Sequence, residues 1–183
     1  MRFSYCPDCG KALTPKVLGD EGKVPWCESC ARPWFEMFPS AAIVLVVNDD
    51  GKVALLNQNY ISTVYKNLVS GYIKPGESAE ETALREVEEE IGVRLHAVEL
   101  QFTRWFERAG VLMVGFLGYT HDRELKLSCE VDAAGWFDPA EALSLVHPKE
   151  TGSVSGLLVD LYLQKRLTDA ASREALEELH DRD

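Results

Sequence analysis

Four glutamates crowd into five consecutive positions of this chain, and their spacing points to metal chemistry. Glu86, Glu88, Glu89 and Glu90 lie in the stretch GYIKPGESAEETALREVEEEIGV, residues 71–93. If the stretch is helical, Glu86, Glu89 and Glu90 share one face, where like charges three and four residues apart repel each other. Carboxylate oxygens are also the ligands that Mg²⁺ prefers, so bound cations would turn this repulsion into attraction.

A solvated acidic helix face is the common alternative, because Glu is a good helix former. The loop GYIKPGE before the helix argues against it, since its Gly and Pro residues impose a fixed backbone shape. Ser78 and Glu81 have the spacing of a capping box, which predicts a helix that begins at Ala79. Gly92 is placed to end that helix. We therefore favour the metal-binding interpretation.

The sequence also predicts contacts for other residues of this helix. Arg85 lies one turn before Glu89 and is predicted to orient that carboxylate through a charged hydrogen bond. A face of apolar residues is predicted to pack against the core. Its members are Ala83, Leu84, Val87 and Ile91.

Two C-x-x-C pairs near the N-terminus predict a second, separate metal site. Cys6 and Cys9 are divided from Cys27 and Cys30 by seventeen residues, a spacing typical of a four-thiolate zinc site. Redox chemistry and disulfides are the alternatives. Four protein ligands leave no open coordination position, so the Zn²⁺ would be structural and would stabilise a segment too short to fold unaided. Cys129 is predicted to be a small residue at the start of a strand.

Composition limits the partners of the chain. It has 183 residues, and 19 Lys plus Arg against 30 Asp plus Glu give a net charge of −11. This charge argues against a general nucleic-acid surface, although bound cations would still allow phosphate substrates. No apolar run precedes the first cysteines, and no stretch approaches the ~18 apolar residues of a membrane span. We therefore expect a cytoplasmic protein with reduced thiols and no membrane partner.

The order of predicted elements indicates a mixed sheet with helices on both faces. Strands come first, then the acidic helix, then further strands, then two helices. The predicted strands cover residues 42–47, 52–58, 67–73, 97–107, 111–120 and 133–139, and the later helices cover 139–146 and 153–167. The predicted organisation is a zinc ribbon at 1–36, a main domain at 37–167 and a charged C-terminal tail at 168–183.

The acidic stretch resembles the Nudix box, G-x5-E-x7-R-E-U-x-E-E-x-G-U with U apolar, at every fixed position. The matching residues are Gly71, Glu77, Arg85, Glu86, Val87, Glu89, Glu90, Gly92 and Val93. With the cysteine module ahead of it, the chain resembles the NADH pyrophosphatase branch from Cys6 to about Leu167. The resemblance implies an α+β fold, namely a Nudix-type αβα sandwich with a mixed sheet, preceded by a small four-cysteine zinc ribbon.

The same resemblance implies a site and a reaction. Glu86, Glu89 and Glu90 would bind Mg²⁺ or Mn²⁺, with a further ligand before a Trp-aromatic pair, here Glu130 in SCEVDAAGWF. Catalysis would involve Arg85, with Glu89 and Glu90 as candidates for the general base. Activated water would attack a phosphorus of a nucleoside diphosphate linked to another moiety. NADH or NAD⁺ would give AMP and a nicotinamide mononucleotide.

One stretch departs from the branch. The NADH pyrophosphatases carry the motif S-Q-P-W-P-F-P after the box. The corresponding residues 103–109 of this chain read TRWFERA, without the prolines and with two arginines. For substrate contacts we predict Trp34 and Tyr72 as stacking partners, Gly71 beside them, and Arg104 toward phosphate or ribose. Core packing for the aromatic residues and a solvated role for the arginine are the alternatives.

Three functional hypotheses follow. The first is an NAD(H) pyrophosphatase, which would extend to nucleic acid only as NAD-capped RNA ends. The second, favoured by the changed motif, is a pyrophosphatase for ADP-ribose or a nucleotide sugar. The third is a non-catalytic binding or regulatory module, which the intact carboxylate set and the charge of −11 oppose. The resemblance also suggests a homodimer.

Overall fold

The computed structural model describes residues 3–180, without the side chains of 171–180, and it divides into two compact units. These are Met1–Pro39 and Ser40–Asp183. The boundaries predicted at 36/37 and 167/168 stay predictions. No helix in the described part of the chain is long and apolar enough to cross a membrane.

The first unit is a small antiparallel sheet. Its strands are β1 (Thr14–Val17), β2 (Lys23–Cys27) and β3 (Arg32–Pro33), in that spatial order. Its buried side chains include Cys6 and Cys27, so thiols form much of its interior.

The second unit is built on a mixed six-stranded sheet. Its strands are β4 (Ser40–Asn48), β5 (Val53–Asn57), β6 (Val69–Tyr72), β7 (Ala97–Phe106), β8 (Val111–Thr120) and β9 (Ala133–Phe137). Their order is β7-β8-β4-β5-β9, and β6 also pairs with β4. The β4–β8 pair is parallel, whereas the other pairs are antiparallel. The central strand β4 is buried along almost its whole length, as its continuous apolar run predicts.

Helices cover both faces of this sheet and create two cores. Helix α1 (Ala79–Ile91) packs on one face, against Ala42, Val44 and Val46 of β4. Helices α2 (Pro139–Leu145) and α3 (Val154–His180) cover the other face, against Ile43, Leu45 and Val47. Successive residues of β4 thus serve opposite cores, because strand side chains alternate between faces. The predicted αβα arrangement with a mixed sheet is confirmed.

Helix α1 has the predicted bounds. The Ser78 side chain accepts from the Glu81 N–H and the Glu81 side chain accepts from the Ser78 N–H, so the capping box is complete. Gly92 ends the helix with φ 65°.

The prediction of the buried apolar face of α1 was wrong for one residue, Leu84. Leu84 is 40% exposed, whereas Thr82 and Ala83 are fully buried. The buried stripe is centred on Ala83, Val87 and Ile91, four residues apart, which turns Leu84 toward solvent. Cys129 was also placed wrongly, because it lies in an exposed turn before β9 and not at the start of a strand.

Candidate active site and cysteine cluster

Arg85 is the centre of a network of three carboxylates at α1. Its Nε and Nη2 donate to Glu77 Oε1 and Oε2 at 2.7 and 2.9 Å. Its Nη1 donates to Glu86 Oε1 at 2.6 Å and to Glu89 Oε2 at 3.0 Å. The predicted contact with Glu89 is therefore present. The paired contact with the guanidinium lowers the pKa of Glu77 to about 2.

Glu77 fastens the loop before α1 to the helix. Besides Arg85, its carboxylate accepts from the Thr82 hydroxyl at 2.9 Å and from the Lys74 N–H at 3.2 Å. Arg85 also donates to the carbonyl of Tyr72 at 3.3 Å. These bonds explain why the loop keeps one shape. The hydrogen bond from the Thr82 hydroxyl to Glu77 was not predicted from the sequence.

Glu90 lies in a very different environment from its neighbour Glu89. Its side chain is buried, at 4% exposure, whereas the Glu89 side chain is 54% exposed. Burial, followed by the negative charges of Glu86 and Glu130, raises the pKa of Glu90 to about 7. The burial of Glu90 was not predicted from the sequence, because it depends on α1 turning this position toward β6 and the end of β5.

The turn before β9 brings Glu130 to the same place. The Ser128 N–H donates to the Glu90 carbonyl at 3.0 Å, which ties this turn to the end of α1. The exposed Glu130 is close enough to raise the pKa of Glu90. Glu86, Glu90 and Glu130 are thus brought together by two segments forty residues apart in sequence.

This donor set suits a hard divalent cation. All its donors are carboxylate oxygens, and one carboxylate is buried among like charges without a cationic partner of its own in the described structure. The ligand oxygens of these carboxylates do not all lie within 4.8 Å of one another in the described structure. Among the side chains described, only the four cysteines place all ligand atoms within 4.8 Å of one another.

Gly71 on β6 is required by the position of Glu86. A Cβ at this residue would lie 1.9 Å from Glu86 Oε1 and 2.0 Å from its Cδ. No side chain can occupy that space unless Glu86 leaves its contact with Arg85. This steric requirement concerns Glu86, and the predicted substrate contact of Gly71 stays a prediction.

Gly71→Ala should therefore displace the Glu86 carboxylate and lower kcat by about tenfold or more, as loss of a positioned metal ligand does. Circular dichroism should remain that of a folded protein, because the clash is with a movable side chain. Gly135→Ala is the control, since its Cβ would approach Phe137 no closer than 3.3 Å. Unchanged hydrolysis in Gly71→Ala would show that the position of Glu86 is unimportant.

The four predicted cysteines meet in the first unit. Cys6 Sγ lies 3.9 Å from Cys30 Sγ, and Cys9 Sγ lies 3.5 Å from Cys27 Sγ. In a tetrahedral site with metal–sulfur bonds of about 2.3 Å, the sulfurs are about 3.8 Å apart. All four thiols are free in this structure, with sulfur–sulfur distances well above the ≈ 2.05 Å of a disulfide bond.

Both C-x-x-C turns have the backbone that such a cluster needs. Gly10 has φ 73°, and Ala31, which follows the second pair, also has a positive φ of 51°. A left-handed alanine is unfavourable unless the surrounding structure imposes it. Hydrogen bonding with Cys9 and Cys27 raises the pKa of Cys30 to about 12, so the metal-free cluster disfavours the thiolate form of this cysteine.

A pocket of about 810 Å³ opens in the second unit on the face covered by α2 and α3. The divergent stretch 103–109 supplies part of its wall, including Arg104 and Arg108. Asn67 also lines it, and its buried Nδ2 has no hydrogen-bond partner among the described residues. Ser70 lines the pocket and its backbone contacts the Glu90 carboxylate, but Glu86, Glu89, Glu90 and Glu130 are not among the residues that line the pocket.

The two predicted stacking residues lie in different units. Tyr72 ends β6 and is 61% exposed, next to Gly71. Trp34 belongs to the first unit, where its ring contacts Phe3 at 5.5 Å and the Arg32 guanidinium at 4.4 Å. Their stacking roles stay predictions.

Comparison with known proteins places this arrangement in a family. A model of the NUDIX domain matches residues 37–157. A Pseudomonas fluorescens protein named NAD-capped RNA hydrolase NudC is 26% identical over 167 residues, which are 91% of this chain and 58% of that protein. A Stutzerimonas stutzeri protein of the same name is 28% identical over 164 residues, 89% of this chain and 57% of that protein. The chain thus spans somewhat more than half the length of these relatives.

Solved structures share the fold. A NUDIX hydrolase from Nitrosomonas europaea matches with a TM-score of 0.59 and 18% identity, over 79% of this chain and 83% of that one. The NUDIX domain of Shewanella oneidensis NrtR, complexed with ADP ribose, has the same TM-score and identity over 78% of this chain and 94% of that one. Because the family model covers well over half of the residues, and the box predicted from the sequence lies within it, the chain belongs to the NUDIX domain family.

Proposed function

We propose that this protein is a divalent-cation-dependent hydrolase that cleaves the diphosphate of a nucleoside diphosphate linked to another moiety. NAD(H), giving AMP and a nicotinamide mononucleotide, is its favoured substrate. The observation that carries the proposal is the meeting of Glu86, Glu90 and Glu130 at the C-terminal part of α1, with Glu89 held by Arg85.

Glu86, Glu89, Glu90 and Glu130 are the proposed ligands of Mg²⁺ or Mn²⁺. A bound cation would supply Lewis-acid stabilisation of phosphate oxygens and a lowered pKa for water. The chain itself positions the ligands, because Arg85 fixes Glu86 and Glu89 while the core fixes Glu90. Of the two base candidates, Glu89 fits better, since its half-exposed carboxylate can reach a water while Arg85 orients it.

The pocket is the proposed site for the group beyond the cleaved diphosphate. Its volume of about 810 Å³ accommodates a mononucleotide-sized moiety, since ligand pockets of ≈ 300–1,000 Å³ enclose molecules of drug size. Asn67 Nδ2 offers an unused donor to a base or amide oxygen. Arg104 and Arg108 add positive charge in a chain of net charge −11, which favours a phosphorylated ligand.

The relatives support NAD-type chemistry. The matched 167 residues outnumber those of the unit Ser40–Asp183, so the likeness to the NudC-named proteins extends into the cysteine unit. For that unit we propose a structural Zn²⁺. Small nucleotides, NAD-capped RNA ends and a second copy of the chain are the proposed partners. The cytoplasm is the proposed compartment.

ADP-ribose or a nucleotide sugar is the second candidate substrate class. One observation favours it, namely that the stretch TRWFERA lines the pocket where the NADH-type motif would be expected to act. The two arginines would then bind the terminal ribose or phosphate in place of a nicotinamide.

A substrate panel with product identification tests the proposal. NADH, NAD⁺, ADP-ribose, diadenosine polyphosphates and nucleotide sugars are incubated with Mg²⁺ or Mn²⁺, and we expect NADH or NAD⁺ to give the highest kcat/KM. Faster hydrolysis of ADP-ribose would select the second candidate, and no hydrolysis of any compound would overturn the proposal.

Arg104→Ala should raise KM about tenfold with little change in kcat, because the contact lies away from the reacting phosphorus. Arg94→Ala is the control, since Arg94 is exposed and pairs with Glu88.

A further inference from the structure

Gln58 is a buried amide directly beside the carboxylate cluster. It follows β5 and is 2% exposed. Its Nε2 donates to Glu90 Oε2 at 3.1 Å and to the Tyr60 hydroxyl at 3.3 Å. Its Oε1 is buried and has no hydrogen-bond partner within the described residues.

Core packing does not explain this side chain. A buried polar atom without a partner destabilises a fold, so a Leu or Met would serve a purely structural position better. Fastening the following loop does not explain it either, because Tyr60 is exposed and its contact is the longer of the two. The contact that remains is the one with Glu90.

The chemistry of this contact is specific. An amide nitrogen only donates and a carboxylate oxygen accepts, so the bond holds the Glu90 side chain in one orientation. With the backbone of Ser70, Gln58 thus determines how the Glu90 carboxylate is presented. Groups that orient a metal ligand affect metal affinity without touching the metal.

We propose that Gln58 is a positioning residue, which holds Oε2 of Glu90 so that this carboxylate is preset for a divalent cation. The inference rests on the proposed function, because it takes Glu90 as a metal ligand. The sequence does not reveal this pair, since the two residues are thirty-two positions apart and Gln58 lies outside the box.

Binding of Mn²⁺ to the full chain, followed by electron paramagnetic resonance of the free ion, tests the proposal without relying on catalysis. Gln58→Met keeps the length of the side chain and removes the donor, and it should raise the Kd for Mn²⁺ by about tenfold or more. Half-saturation by Mg²⁺ in the hydrolysis assay should shift by a similar factor. Gln58→His, which restores a ring N–H, should recover part of the affinity.

Thr120→Val is the matched control. Thr120 is also buried, at 1% exposure, and donates to the Arg94 carbonyl at 2.8 Å, so its loss tests a buried hydrogen bond outside the cluster. It should lower Tm without changing the Kd. If Gln58→Met does not fold, Gln58→Leu provides a second donor-free side chain.

The outcomes separate the two proposals. A Kd for Mn²⁺ in Gln58→Met within twofold of wild type overturns the role of Gln58, whatever the wild type hydrolyses. Weakened Mn²⁺ binding in a protein that hydrolyses nothing in the panel upholds Gln58 and overturns the proposed activity. A wild-type protein that binds no Mn²⁺ overturns both.

Discussion

Replacing Glu90 with Gln is expected to lower kcat by at least ~10²-fold, because Glu90 is a proposed metal ligand at the centre of the cluster. The substitution keeps the volume of the side chain, so the packing against β6 should survive. Initial rates at saturating Mg²⁺ measure the effect, and circular dichroism checks the fold.

Glu88→Gln is the control on the same helix. Glu88 is half exposed, pairs with Arg94 at 3.0 Å and is the free position of the box, so its loss should leave kcat within about twofold. Near wild-type turnover in Glu90→Gln would contradict the assignment of the whole cluster. A large loss in both variants would indicate a general effect of helix charge.

The same variant should change how stability depends on pH in metal-free protein. Burial raises the pKa of Glu90 from its usual value of 4.5 to about 7, so the folded state binds this proton more tightly than the unfolded state. The stability due to this proton is fully present below pH 4.5 and is lost as pH rises through about 7. By pH 7 the loss is of the order of 3 kcal/mol. The free energy of unfolding, measured with urea, should therefore fall less steeply between pH 4.5 and 7 in Glu90→Gln than in wild type. An equal pH dependence of this free energy in the two proteins would contradict the raised pKa.

Cys9→Ser is expected to abolish stable metal binding by the first unit. Four sulfurs at tetrahedral spacing would hold the proposed Zn²⁺, whereas three thiolates with a hydroxyl would hold it far more weakly. Structural Zn²⁺ sites contribute about 10–16 kcal/mol of apparent binding free energy to folding, so Met1–Pro39 should unfold. Elemental analysis should show zinc falling from about one per chain toward zero. Limited proteolysis should show new cleavage within residues 10–30.

Cys129→Ser gives the matched control, because Cys129 is exposed and lies outside the cluster. It should keep its zinc and its resistance to proteolysis. Retention of a full equivalent of zinc in Cys9→Ser would refute the four-thiolate site. Removal of zinc by a chelator should reproduce the proteolysis pattern of Cys9→Ser in the wild-type chain.

Local rules explain why much of the fold was predictable. The limits of α1 follow from Ser78, Glu81 and Gly92, whose effects act within one turn of the helix. The buried β4 follows from its continuous apolar run, and the cysteine cluster from two C-x-x-C pairs that can only meet around a common centre. The error at Leu84 arose because the apolar face of a helix is about 100° wide. Whether a residue at its edge is buried depends on how the helix packs against the sheet.

The sequence by itself determined the family, the order of strands and helices, and the residue types of both proposed metal sites, because these depend on spacing along the chain. Only the tertiary structure decided which carboxylates act together. It buried Glu90 beside Gln58 and left Glu89 half exposed, although the two are adjacent in sequence. The physical reason is that burial and charge coupling depend on what the sheet and the turn before β9 place next to α1. Neither the orientation of α1 on the sheet nor the approach of Glu130 is encoded in the box itself.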